Sequence, residues 1–115
     1  MNFLPIGSIV TLKGDHDNPK TNLMITLRLP LTDLDGQSGY FDYAGCIYPY
    51  GMIDDKLYYF NNEDIDEIVF RGYVNDTEKE LVDKIEKNIN DIGYQRLFNK
   101  KYTQENEDLS DLLSD

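Results

Sequence analysis

Seven residues, Leu23 to Leu29, constrain this chain more than any other stretch. Leu23, Ile25, Leu27 and Leu29 fall on one face, and Met24, Thr26 and Arg28 fall on the other. A period of two is the signature of a strand that buries one side and wets the other. Pro30 stops the run, since it has no amide proton to give to a ladder. A half-buried strand needs partners on both sides, so the rest of the chain is read for strands that complete its sheet.

Those partners are present. Ile9, Val10, Thr11 and Leu12 form a short strand, and the polar stretch from Gly14 to Asn22 reads as the hairpin loop between it and Leu23. Thr32 to Gly39 reads as a polar loop with two glycines. The aromatic-rich stretch from Tyr40 to Tyr73 then reads as strand, turn, strand, one short helical turn and strand. Within it, Tyr40 to Tyr48 is the third strand, and Gly45 inside it marks a bulge or tight bend. Leu57 to Phe60 is the fourth strand and Glu67 to Tyr73 the fifth.

After Asn75 the period changes. Leu81, Val82, Ile85, Ile89 and Ile92 repeat at helical spacing; Asn75 suits an N-cap with Glu78 three residues on, and Gly93 suits the C′ position. Tyr94 to Tyr102 reads as a second short helix. The fold expected is therefore α+β: a small five-stranded SH3-like antiparallel β-barrel over residues 1–74, by analogy of strand layout, then a helical segment over 75–102 packed on it. Residues 103–115 carry five acidic residues and no basic ones, the composition of a disordered acidic tail.

Charge and cysteine usage narrow the function. The formal net charge is −11, which repels phosphate backbones and anionic lipid, so neither nucleic acid nor membrane is expected as a partner. Cys46 is the single cysteine, which rules out a disulfide within one chain and suits a cytoplasmic protein. The first ten residues have no basic region, and Pro5, Gly7 and Ser8 break their apolar run, so they make a poor signal peptide. Export by a route that skips such signals remains open.

Three words in the chain carry a family resemblance: FLPIGSIVTLKG, FDYAGCIYPYG and LYYFNNEDIDEIVFRGY. Within them, Leu4-Pro5-Ile6-Gly7-Ser8, Asp42-Tyr43 with Gly45-Cys46, Tyr48-Pro49 with Gly51, and Phe60-Asn61 through Asp64-Ile65-Asp66 are the shared residues. Over about Phe3 to Ile85 the chain resembles a domain-of-unknown-function family of small proteins from Gram-positive bacteria. Those proteins are encoded beside type VII secretion genes, LXG toxins and WXG-type helical partners. Thr32 to Gly39 is longer than the family pattern. The resemblance implies an accessory, adaptor or chaperone-like role in toxin export, and it brings no catalytic residue.

No constellation of residues reads as a reaction centre, and no enzyme activity, cofactor or metal is expected. Asp15-His16-Asp17 has metal or acid–base chemistry on paper, but three ligands in a polar hairpin loop read more simply as a solvated turn. Asp33, Asp35 and Asp42 around Gly36 likewise read as a turn, because a calcium loop needs further early oxygen ligands and flanking helices. Cys46 has no neighbouring base and reads as a small core residue. The partner-binding candidates are Tyr43, Tyr48, Tyr50 and Tyr58, because tyrosine suits interfaces that are apolar and wet at once. Glu63, Asp64 and Asp66 join them as an acidic docking patch for basic side chains, with a plain solvated face as the alternative. Leu109, Leu112 and Leu113 lie at one-face helical spacing within the tail, the pattern of a segment that folds onto a partner. The function expected is a non-catalytic adaptor for a toxin or its helical partners; the alternative is an immunity protein that blocks a toxin. Oligomeric state is left open.

Overall fold

The computed structural model describes residues 3–98. Its strands are β1 (Ile9–Leu12), β2 (Leu23–Arg28), β3 (Leu31–Leu34), β4 (Gln37–Tyr40), β5 (Tyr43–Ile47), β6 (Tyr58–Phe60), β7 (Ile65–Phe70) and β8 (Gln95–Arg96). A 3-10 turn over Asn62–Asp64 leads into β7, and the helix α1 (Asp76–Asn88) lies between β7 and β8. The architecture is α+β, with two sheets ordered β6-β5-β2-β1-β7 and β3-β4-β8. Among the described residues the larger sheet is open, with β6 and β7 at its edges, so the strand pairing closes no barrel. No helix of the described residues is long and apolar enough to cross a membrane.

The core sits on the inner face of the larger sheet. Val10, Leu12, Leu23, Ile25, Tyr43 and Phe60 are buried there, and Phe3 and Leu4 close one end. Cys46, in β5, is also buried.

The alternation in β2 holds only as far as Ile25. Pairing with β5 runs Ile25 to Gly45 and then Leu27 to Ala44, which leaves Thr26 as an extra residue. Such a bulge shifts the phase of every side chain beyond it. Leu27, expected in the core, is therefore exposed, while the Arg28 side chain is only 5% exposed. Gly45 is required opposite the bulge, because a Cβ there would come within 2.5 Å of the Met24 carbonyl oxygen.

The shift aims Arg28 at α1. Its Nη1 and Nη2 donate to the two carboxylate oxygens of Glu78 at 2.6 and 2.7 Å, a bidentate pair. Asn75 caps the helix as its sequence position suggests, its side-chain oxygen accepting the Glu78 N–H at 2.9 Å. The Glu78 carboxylate is thus engaged by Arg28 rather than by the cap. Ile85 and Ile89 pack against the core, but Leu81 stays exposed and no residue of α1 is buried. α1 ends at Asn88, short of the expected Ile92; a 3-10 turn over Ile89–Asp91 comes next, and Gly93 just beyond it has φ +79°, the left-handed conformation for which a Cβ is a burden.

Two segments differ from their sequence reading. Thr32 to Gly39 belongs to a hairpin, with β3 and β4 paired from Leu31–Tyr40 to Leu34–Gln37 around Asp35-Gly36. Both turn residues have positive φ, 52° and 81°, as a tight hairpin turn demands. The start of the expected second helix instead holds β8, which lies parallel to β4. Gly39 permits this approach, since a Cβ there would collide with the Gln95 carbonyl and the Leu97 side chain. Leu97 is buried, so the core draws on residues well beyond position 74.

Candidate functional site

Two polar features and one apolar groove account for the residues of interest. The first is a buried polar corner built on Asp42, which is 0% exposed. Asp42 lies between β4 and β5, and its Oδ2 accepts the Asn62 N–H at 2.9 Å. Arg96 of β8 donates to it twice, through Nη2 at 2.6 Å and Nε at 3.2 Å. The same guanidinium donates to both oxygens of Glu63, at 2.9 and 2.6 Å. Burial alone would lower the Arg96 pKa, but the two carboxylates outweigh it and push the group above its ordinary value. In turn, the Arg96 hydrogen bonds hold the Glu63 carboxyl below its ordinary value, against a smaller opposing effect of burial.

The corner continues through Asn61. Its side-chain oxygen accepts the Asp42 N–H at 2.9 Å and its amide donates to the Leu97 carbonyl at 2.8 Å. Asp64 accepts the Asn61 N–H at 2.9 Å and is buried. Among the described residues every buried side-chain polar atom has a hydrogen-bond partner. A satisfied network of this kind fixes one arrangement of β5, the 3-10 turn and β8.

The second polar feature is the β1–β2 loop. Asp15 accepts the Asp17 N–H at 3.0 Å and the Thr21 N–H at 2.7 Å, which folds the loop around its carboxylate. Burial would raise the Asp15 pKa, but those two N–H groups, with Lys20 nearby, overcome it and hold the carboxyl below its ordinary value. Lys20 donates to the Leu12 carbonyl and to Asp66, at 3.2 and 2.8 Å, and so ties the loop to β7. Among the described residues no cluster of three or more His, Cys, Asp and Glu is placed to hold a metal ion.

Between this loop and the β5–β6 connection runs the groove. One part, about 370 Å³, is floored by Leu12, Leu23, Ile47 and Tyr58 and rimmed by Asp15, His16 and Asp17. A second part, about 190 Å³, shares Ile47 and Tyr58 and adds Gly51, Ile53, Asp54 and Lys56. The floor is apolar and three aspartates stand on the rim. Lys56 places its ammonium 5.2 Å from the centre of the Tyr58 ring. Exposed Tyr48, Tyr50, Met52 and Ile53 lie on the β5–β6 connection, with Tyr50 75% exposed.

The partner residues expected from sequence divide accordingly. Tyr58 lines the groove, and Tyr48 and Tyr50 lie on the connection that forms one wall of it. Tyr43 is a correction: it is buried against Phe3 and Phe60, its hydroxyl donating to Asn62 at 2.6 Å and accepting the Leu4 N–H at 2.9 Å. Burial pushes the Tyr43 pKa up. Asp64 is a second correction, because the 3-10 turn directs its carboxylate inward to the Asn61 N–H. Glu63 and Asp66 are already paired with Arg96 and Lys20, so the acidic run is largely neutralised from within. Leu109, Leu112 and Leu113 lie outside the described residues. Sequence reasoning missed Asp42, Asn61 and Arg96 as a unit, and it missed Met52 and Ile53. Met52 and Ile53 carried a visible signal as two apolar residues in a turn next to tyrosines. Arg96 carried none, since its role arises from a two-residue strand.

Comparison with protein families finds that the model of a domain of unknown function, DUF4176, matches residues 3–81, more than half of the chain. Comparisons with curated proteins and with solved structures find no match.

Proposed function

We propose, from the premise that this chain belongs to the DUF4176 family, that it is a non-catalytic docking protein whose groove takes a basic amphipathic helix of a protein partner. One observation carries this reading: an apolar floor of Leu12, Leu23, Ile47 and Tyr58 is bordered by three aspartates, Asp15, Asp17 and Asp54, together with His16 and the single cation Lys56. Apolar anchors of a helix at i, i+3 and i+4 suit such a floor, and flanking Lys or Arg suit the rim. The chain's charge of −11 speeds the approach of a basic segment and disfavours acidic ones. The family resemblance in the sequence supplies the partner class: a toxin exported by type VII secretion, or the helical proteins that target it, bound in the cytoplasm before export. The scaffold in this reading is an SH3-like domain. The order β6-β5-β2-β1-β7, the 3-10 turn before β7 and the bend in β2 support that, with the β3–β4 hairpin as an insertion.

Titration calorimetry with the two halves of an LXG toxin tests the proposal. The N-terminal helical region is expected to bind, and Ile53→Asp or Asp54→Lys on the groove wall is expected to weaken it at least about tenfold, or roughly 1.4 kcal/mol. Binding of the C-terminal toxic domain alone points instead to an immunity protein. Binding of neither half, or binding that ignores both substitutions, refutes the docking role.

A further inference from the structure

α1 rests on the domain without being built into it. None of its residues is buried, and it gives the core only half-buried side chains such as Ile85, with Ile89 just past its end. A groove of about 460 Å³ runs along each flank. One is lined by Val82 and Glu86 with Phe3 and Pro5, the other by Ile85 and Ile89 with Leu29. A helix seated between two open grooves makes few of the buried contacts that oppose local opening. Among the described residues one ion pair joins α1 to the sheet, Arg28–Glu78, with side chains 5% and 15% exposed.

The chain on either side of the helix is fastened. Before it, the Gly72 N–H donates to Ser8 Oγ at 2.9 Å, so close to the start of β1 that a Cβ would strike the Ile6 carbonyl. After it, Arg96 is held by Asp42, and buried Leu97 donates its N–H to the Tyr40 carbonyl at 2.7 Å. Between these anchors and the helix lie two exposed joints. Tyr73 and Val74 form the first, and Gly93, with its left-handed φ, forms the second with Tyr94. We infer that residues 73–94 are a strap: α1 lifts as a unit while the sheet and both anchors stay folded, and the Arg28–Glu78 pair is its latch. Opening breaks two strong hydrogen bonds and exposes a modest apolar area, whereas unfolding the sheet exposes the whole core. The lifted state presents the Arg28 guanidinium and the apolar side of Ile85 and Ile89, a surface that the closed protein withholds. Other elements form the groove between the β1–β2 loop and the β5–β6 connection, so the inference does not depend on the docking role.

Native-state amide hydrogen exchange of the full chain, followed by NMR, provides the test. Amides in the last two turns of α1 are expected to exchange at least about a hundredfold faster, relative to their unfolded rates, than those of β2 and β5. Two substitutions separate the opening of the strap from global unfolding. Glu78→Gln leaves the Arg28 charge unpaired in the closed state, which is the starting point of both openings. Protection is therefore expected to fall about tenfold or more in α1 and in the sheet alike. Ile25 is fully buried in β2 and stays buried when the strap lifts. Ile25→Val is expected to lower protection in β2 and β5 about threefold or more and to leave α1 unchanged. Circular dichroism of each variant checks that the fold is kept. Equal protection of α1 and β5 in the parent overturns the inference. So does an Ile25→Val change that reaches α1 in full, or α1 protection that ignores Glu78→Gln.

Discussion

Replacing Arg96 by alanine tests whether the last strand belongs to the folding unit. In the native protein Asp42 is entirely buried, and three hydrogen bonds reach its carboxylate: two from Arg96 and one from the Asn62 N–H. The substitution leaves a charged carboxylate in the core with the Asn62 bond alone. Breaking a buried pair from one side costs about 3–5 kcal/mol. Arg96 is 28% exposed, so water reaches part of the vacated site, and a loss of about 2–3 kcal/mol is expected. For a domain of this size that corresponds to a fall in Tm of about 10–20 °C. Glu63 is far more exposed, so Glu63→Ala is expected to cost under about 1 kcal/mol. The origin of the loss is separable. Asp42→Asn removes the orphaned charge but keeps an acceptor for Asn62, so adding it to Arg96→Ala is expected to recover most of the stability. Thermal and urea unfolding followed by circular dichroism report both variants. An Arg96→Ala protein that melts within about 3 °C of the parent, or a double variant no better than the single, refutes the buried-charge argument.

The corner also predicts a pH dependence. Glu63 is depressed below its ordinary 4.5, so its contribution is fully present above that value and is lost as pH falls through the lower folded-state pKa; Glu63→Gln is expected to flatten that part of an acid-unfolding curve. On α1, Ile85→Asp is expected to destabilise by about 1–2 kcal/mol, because Ile85 is half-buried against the core, whereas Leu81→Asp is expected to leave thermal melting nearly unchanged. The net charge of −11 predicts no sub-micromolar, salt-dependent binding to generic DNA or RNA, which fluorescence anisotropy checks. Deleting residues 103–115 is expected to leave melting unchanged and to weaken partner binding in the same calorimetric assay; equal affinity of the truncated chain refutes recruitment by Leu109, Leu112 and Leu113.

Local signals in the chain were legible where local physics decides. The strand from Leu23, the cap at Asn75 and the left-handed Gly93 follow from periodicity and backbone preference, whereas α1 ends at Asn88 and the apolar repeat through Ile92 runs on into a 3-10 turn over Ile89–Asp91. The β3–β4 hairpin was not read, although Asp35-Gly36 between Leu34 and Gln37 is a hairpin turn by composition; its strands alternate too weakly for the period to show. The phase reversal at Thr26 depends on Gly45 of another strand, which no window around Leu27 contains. The same limit explains the misplaced Asp64. Charge at that position reads as a wet surface, and only a tertiary network makes it a buried acceptor. In the candidate site, Tyr48, Tyr50 and Tyr58 were accessible to composition, while the aspartate rim brings together loops far apart in sequence.

Asp42 and Arg96 are 54 positions apart, and the chain is made from one end. A ribosome adding roughly 5–20 residues per second leaves Asp42 without its counter-ion for about 3–11 s after it is made. During that interval β5 and the 3-10 turn carry a carboxylate that prefers water to the core. The corner can therefore close only once β8 has been synthesised, and the nascent domain keeps this end open until then. Any factor that recognises the unfinished protein meets an Asp42 carboxylate that the completed fold no longer presents.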